Sequence, residues 1–136
     1  MGSEGEPMHL THAQMRYLLA ITELSERGMG VRSSDIVQLF GVSRPSVSRM
    51  LRILSDLGIL DKDRFGKISL TQAGTNAVEK LCKLRESIAA QLIKCLGLSS
   101  KVAEDCALLL IAELPDQFPV IYDNQTLAQR DLLRFG

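Results

Sequence analysis

The sequence predicts a mainly α fold interrupted by one short β-hairpin, and three observations predict it. Between Ser43 and Leu57, the apolar residues Val47, Met50, Leu51, Leu54 and Leu57 recur at i, i+3, i+4, i+7 and i+10, which is one helical face. A shorter apolar cluster, Ile36-Val37 with Leu39-Phe40, precedes that helix and is separated from it by a turn at Gly41. After Phe65-Gly66, Ile68 and Leu70 alternate with Ser69 at the period of a strand, and from Gln72 onward the spacing is helical again.

Each element follows from local signals. Met1 to Met8 is rich in glycine and acid, lacks periodicity, and reads as disordered or as a remnant of expression. From Thr11 the pattern is helical: Met15, Leu18, Leu19, Ile21, Thr22 and Leu24 share a broad face, and Gly28 and Gly30 end it. Arg32-Ser33-Ser34 offers an N-cap to the second helix, Gly41 stops it, and Ser43 caps the third. Pro45 falls in the first turn of that third helix, where its missing N–H costs nothing. Leu57-Gly58-Ile59-Leu60 closes the third helix, and Asp61 to Leu70 reads as a hairpin with Phe65-Gly66 at its tip.

Thr71 caps a long helix from Gln72 to Leu96, striped by Val78, Leu81, Cys82, Leu84, Ile88, Leu92, Ile93 and Leu96 and ended by Gly97. Ser99 or Ser100 caps a fifth, with Val102, Ala103, Cys106, Leu109, Leu110 and Leu114 expected inward and Pro115 as its breaker. Its run from Ala107 to Ala112 is apolar around the whole circumference. A chain this small has few layers to cover such a helix, which predicts a subunit interface. Pro119 and a turn at Tyr122-Asp123-Asn124 then lead to a last short helix expected from Gln125 to Leu133.

Helix, glycine turn, helix and then hairpin is the order of a winged helix-turn-helix. The expected organisation is a tail over 1–8, a winged helix-turn-helix DNA-binding domain with its small β-hairpin wing over 9–71, and a helical dimerisation domain over 72–136. The outer face of the third helix carries Arg44, Ser46, Ser48, Arg49, Arg52 and Ser55, with no acid before Asp56. Hydroxyls and guanidinium groups donate to phosphates and base edges, so this face suits the major groove of double-stranded DNA. A helical hairpin with a solvated basic face shares the first two helices, and the wing separates the readings. Arg64 and Lys67 at the wing tip join Arg44, Arg49 and Arg52 as the expected source of salt-dependent affinity, with Ser43, Ser46 and Ser48 setting register or touching bases.

Sixteen basic and sixteen acidic side chains cancel over the 136 residues, but unevenly. Residues 31–70 hold seven basic and four acidic side chains, and 96–136 hold three and six. Nucleic-acid affinity depends on clustered charge, so overall neutrality does not exclude it. No apolar run is long enough to span a bilayer and no leader pattern is present, which places the protein in the cytoplasm with no membrane partner. Cys82, Cys95 and Cys106 are odd in number and widely spaced, unlike a disulfide framework or a zinc finger. No Ser/His/Asp or Cys/His set, phosphate loop or HExxH run points to an enzyme, and Glu104, Asp105 and Asp116 read as surface charge.

From about Met15 to Leu114 the chain resembles the iron- and manganese-responsive repressors of the diphtheria toxin repressor/manganese transport regulator (DtxR/MntR) family, in its short two-domain form. The resemblance rests on Ser34-Asp35-Ile36, on Val42-Ser43-Arg44-Pro45-Ser46-Val47-Ser48-Arg49-Met50, on Leu57-Gly58-Ile59-Leu60, and on Leu70-Thr71-Gln72-Ala73-Gly74. It implies a homodimeric repressor with base or phosphate contacts from Ser43, Pro45, Ser46, Ser48 and Arg49; Ser34, opening the second helix, joins these candidates. The family's metal ligands are largely unmatched. Its first-helix position falls near Met15, its fourth-helix histidine position carries Glu86, and Cys106 is followed by Leu109-Leu110 where Glu-His is expected, with Glu113 a turn later. Divalent transition metals favour imidazole and carboxylate ligands converging at one point, and the histidines here are His9 and His12 alone. The expectation is a repressor that needs no cofactor. Mn²⁺ or Fe²⁺ at an atypical set of Met15, Glu86, Cys106 and Glu113 is one alternative, and a ligand- or redox-responsive winged-helix regulator of the MarR type is another. A winged helix used for protein assembly would carry an apolar or acidic outer face instead.

Overall fold

The computed structural model describes residues 9–28 and 30–120. Among them the elements run α1 (His12–Glu26), α2 (Ser33–Phe40), α3 (Arg44–Asp56), β1 (Leu60–Lys62), β2 (Ile68–Leu70), α4 (Gln72–Leu96) and α5 (Ser100–Glu113). The fold is mainly helical, with one small antiparallel sheet in which Leu60 faces Leu70, Asp61 faces Ser69 and Lys62 faces Ile68. The chain divides into two compact units inside α4: Ala13–Val78, and the residues from Glu79 onward together with the segment that ends at His12. The tail over 1–8 and the helix expected from Gln125 to Leu133 lie outside the described residues.

In the first unit α2 packs on α3 and α3 on β1. Met15, Leu18, Ile21, Ile36, Val47, Leu54 and Ile59 are fully buried and make its core, so the spacing in α1 and α3 reports packing directly. Gly41, at φ +66°, stops α2 in the left-handed conformation and donates its N–H to the Val37 carbonyl at 2.8 Å. The expected cap of α2, left open among Arg32, Ser33 and Ser34, falls on the first of them. Arg32 is the N-cap residue, and Asp35 reaches back to accept the Arg32 N–H at 2.9 Å, half of a capping box. Gly58 ends α3 with the paired bonds of a Schellman motif, Ile59 N–H to Leu54 O at 3.2 Å and Gly58 N–H to Ser55 O at 3.0 Å. The sheet also gains a bridge that local patterning does not show, because Val31 accepts the Ile68 N–H at 2.8 Å and ties the wing to the segment before α2.

The start of α4 is pinned to the end of α3. Thr71 donates its hydroxyl to the Gly58 carbonyl at 2.7 Å and accepts the Gly74 N–H at 3.1 Å, while its own N–H bonds the Ile59 carbonyl at 3.2 Å. Gly74 lies directly against that carbonyl. A Cβ there would overlap the Ile59 oxygen and press to 3.3 Å from Leu70 Cδ2.

In the second unit α4 and α5 are joined by Gly97 and by Ser99, which caps α5 by accepting the Val102 N–H at 3.3 Å. Ala89, Ala103 and Ala107 are buried together, with Ile88, Leu92 and Leu98 packed around them. The inward face of α5 is therefore Ala103, Ala107, Leu108 and Ile111. Of the residues expected inward, Ala103 is buried and Cys106 is half-buried, but Val102, Leu109, Leu110 and Leu114 are 37–47% exposed. The reason is steric: the small Ala103 and Ala107 let two helices approach, so the face that carries them, with Leu108 and Ile111, turns inward.

Replacing Gly74 by Ala is expected to destabilise the protein by about 1–3 kcal/mol, the usual cost of forcing a methyl group into a packed site. Thermal and urea unfolding followed by circular dichroism measure it. Alanine is otherwise the better helix former, so an unchanged or raised melting temperature would show that the Ile59 contact does not constrain the junction.

Candidate nucleic-acid interface

The third helix starts at a cap that the sequence specifies. Ser43 is extended (φ −70°, ψ 154°), and its Oγ accepts the Ser46 N–H at 3.3 Å while donating to Ser46 Oγ at 2.9 Å. These two hydroxyls hold each other, so Ser43 sets the helix start and its register. Pro45 sits in the first turn and is exposed, as is Ser34 in the first turn of α2. The apolar stripe Val47, Leu51 and Leu54 is buried, which turns Arg44, Ser46, Ser48, Arg49, Arg52 and Ser55 to solvent.

Among the described residues the ion pairs are Arg27 with Glu23 at 3.9 Å and Lys101 with Asp105 at 3.5 Å; neither involves α3. Arg44, Arg49 and Arg52 therefore present guanidinium groups with no carboxylate within 4.0 Å among the described residues, ready for phosphate or a base edge. A groove runs between α3 and the wing, lined by Ser48, Arg52, Ser55, Asp61 and Lys62 over Leu51 and Leu60. It brings Asp61 onto the same surface as Arg52. That neighbour is invisible along the chain, because the hairpin creates it.

The wing tip is built around one carboxylate. Asp63 Oδ1 accepts the N–H groups of Phe65 and Lys67, each at 2.8 Å, and the Asp63 N–H bonds the Lys67 carbonyl at 2.9 Å. These bonds, the Lys67 N–H foremost, hold the Asp63 carboxyl below its ordinary value of 3.8; desolvation opposes them, and the Phe65 N–H with the Arg32 and Lys67 charges adds to them. Arg32 donates from its guanidinium to the Phe65 carbonyl, and Gly66 closes the turn at φ +86°. Arg64 rests its guanidinium 5.5 Å from the Phe65 ring centre. Arg64 and Lys67 are thus carried at the wing tip on a braced turn. The bracing roles of Asp63 and Arg32 at this tip are not in the sequence reading, although Asp-x-Phe-Gly-Lys is a recognisable Asx-turn pattern.

The candidate metal ligands fall differently. Met15 is 2% exposed in the core of the first unit, whereas Glu86 and Glu113 are exposed and Cys106 half-buried in the second. Among the described residues, no three of His, Cys, Asp and Glu come together as a metal-holding group. A thioether, a thiol and two outward carboxylates, without imidazole, do not fit a transition-metal centre.

The arrangement defines a winged helix-turn-helix domain followed by a helical unit. Residues 18–64 match the IclR helix-turn-helix domain family. An uncharacterized HTH-type transcriptional regulator of Methanocaldococcus jannaschii is 24% identical over 94 residues, covering 69% of this chain and 75% of that protein. Three solved structures share the fold. A hypothetical protein of Sulfolobus solfataricus superposes with TM-score 0.61 at 19% identity, over 91% of this chain and 89% of that one. The manganese regulator SloR gives 0.66 at 24% identity over 95% of this chain, and IdeR of T. acidophilum gives 0.63 at 22% over 95%. The present chain spans about half the length of the latter two, 56% and 55%. Similarity to regulators of the DtxR/MntR type is therefore present in the fold, while the family matched by sequence is the IclR-type helix-turn-helix. No described helix is long and apolar enough to cross a membrane.

Because the folded Asp63 carboxyl titrates below its ordinary value, the wing tip is stabilised by the ionised form. That contribution is complete above pH 3.8 and is lost as pH falls through the lower folded value. In an NMR acid titration the Phe65 and Lys67 amide resonances are expected to shift together with a midpoint below 3.8. Asp63→Ala should speed hydrogen exchange at both amides while the α3 amides stay protected. A midpoint at or above the ordinary value would remove Asp63 as the brace.

Proposed function

We propose that this protein is a cytoplasmic DNA-binding transcriptional regulator, a repressor, that acts as a homodimer on a pseudo-palindromic operator without a metal cofactor. The observation that carries this reading is the outer face of α3, cationic, exposed and without ion pairs among the described residues, in the same compact unit as the wing. The match to a helix-turn-helix family and the likeness to an HTH-type transcriptional regulator support it.

In this reading, two α3 helices enter successive major grooves about one helical turn apart. Arg44, Arg52, Arg64 and Lys67 neutralise phosphates and release counterions, which makes binding salt-dependent. Ser48 and Arg49, on the middle of the exposed face, reach base edges; an arginine there pairs best with the O6 and N7 acceptors of guanine. Ser43, occupied as the cap, fixes how far the helix enters. The dimer forms through α5 and its C-cap, where Val102, Leu109, Leu110 and Leu114 stand exposed at 37–47%, with Val102 and Leu109 on the side away from Ala103 and Ala107. Three large apolar side chains exposed on α5, with a fourth at its C-cap, are more than a solvated surface needs. A metal-controlled alternative draws on the likeness to SloR, a manganese regulator, and the binding assay separates the two.

Fluorescence anisotropy with DNA from upstream of the protein's own gene tests the reading. Tight binding is expected, unchanged by Mn²⁺, Fe²⁺ or chelator. Arg49→Ala should weaken it roughly tenfold or more, as loss of a bidentate base contact does, and relax sequence preference. Binding that requires metal would favour the alternative, and unchanged affinity of the variant would take Arg49 off the reading surface.

Oligomeric state is an independent check. The double variant Leu109→Glu/Leu110→Glu should convert a dimer to a monomer by light scattering with helical content retained. A dimer that persists would move the interface elsewhere.

A further inference from the structure

Phe65 is 71% exposed at the wing tip, far more than any other large apolar side chain described in its unit. The exposure is imposed by the turn. The N–H groups of Phe65 and Lys67 are both held by Asp63 at 2.8 Å, the Phe65 carbonyl accepts from Arg32, and Gly66 at φ +86° closes the loop behind the ring. The brace holds the backbone that carries the ring at the tip of the wing. It is also framed by cations. Arg64 lies 5.5 Å from the ring centre, the Lys67 chain runs against Gly30, where a Cβ would meet it at 3.3 Å, and Arg32 reaches the Phe65 carbonyl. The acid in the turn, Asp63, is occupied by backbone donors.

We propose that Phe65 is a DNA wedge: its ring enters the minor groove beside the α3 footprint and partly unstacks one base step, while Arg64 and Lys67 hold the flanking phosphates. This rests on the reading of α3 as a major-groove helix. A narrow minor groove concentrates negative potential and draws in arginine, and apolar side chains inserted between base steps kink the duplex. Preorganisation matters because unstacking costs energy, and a turn backbone already braced lowers the ordering cost of insertion. The wedge would add sequence preference at a flexible step such as TA or CA that no side chain reads by hydrogen bonding.

The test uses the tightest duplex that the wild-type protein selects from a random-sequence pool, with 2-aminopurine replacing adenine one position at a time. Wild-type protein should raise the fluorescence at one step outside the α3 footprint, because the analogue brightens when unstacked. Phe65→Ala should abolish that rise and weaken binding roughly tenfold, the scale of losing one base–aromatic contact, with an unchanged melting temperature. Phe65→Leu should keep part of the signal, since leucine also serves as a wedge. If the wild type binds, no position brightens and Phe65→Ala binds equally well, the wedge is excluded and the major-groove reading stands. A loss of affinity in Phe65→Ala with no position brightening in the wild type also excludes it. If the wild type selects no duplex at all, both readings fall.

Discussion

The closest constraint in the winged unit is the approach of Gly74 to the carbonyl of Ile59, and the geometry of the candidate DNA surface depends on it. Thr71 bonds the Gly58 and Ile59 carbonyls and the Gly74 N–H at the same point. The end of α3, the base of the wing and the start of α4 therefore share one set of hydrogen bonds. A second tie, Ile68 to Val31, holds the outer strand of the wing from the other side. With both ends anchored and the tip braced by Asp63, the backbone that carries Arg64 and Lys67 is tied to the end of α3 and to the segment before α2. Fixed donors matter in recognition, because each side chain or loop that must be ordered on binding subtracts from affinity.

The two halves of the chain put opposite chemistry on their surfaces. In the first unit the exposed face of α3 is mostly arginine and serine, and Val47, Leu51 and Leu54 go to the core while Ile53 stays exposed. In the second, Ala89, Ala103 and Ala107 are buried together with Ile88, Leu92 and Leu98 around them, while Val102, Leu109, Leu110 and Leu114 remain exposed. A protein with sixteen charges of each sign can still bind a polyanion when its basic residues are clustered. Pairing of protomers through an apolar helix would place two such clusters on one duplex, and binding two half-sites with linked modules multiplies affinity without any new contact.

Much of this was legible in advance because it is local. The bounds of α3, α4 and α5 follow from Ser43, Gly58, Thr71, Gly97 and Ser99, where capping and left-handed backbone leave a residue-level mark. The outer face of α3 was legible because the stripe Val47, Leu51 and Leu54 leaves only one side for the arginines. The inward face of α5 was not. A helix apolar all round carries no phase in its pattern, and the small residues decided which side packs, because they allow close approach. The N-cap of α2 was legible only to within Arg32-Ser33-Ser34; Arg32 takes it, and the bond there comes from the Asp35 carboxylate.

Local chemistry alone settles the helix-turn-helix, the wing and the basic helix face, since each follows from spacing, turn residues and charge within a short segment. It does not reach contacts whose partners are far apart in sequence. Arg32 on the Phe65 carbonyl, Asp61 beside Arg52 in the α3–wing groove, Val31 on Ile68 and the Gly74–Ile59 approach arise only when the hairpin folds back and α4 starts beneath it. The metal question divides in the same way. The missing histidines are visible in the chain, but that Met15 is sealed in the core while Glu86 and Glu113 face solvent is a fact of packing. Packing is decided by the whole set of buried side chains at once, which is why no single stretch of sequence announces it.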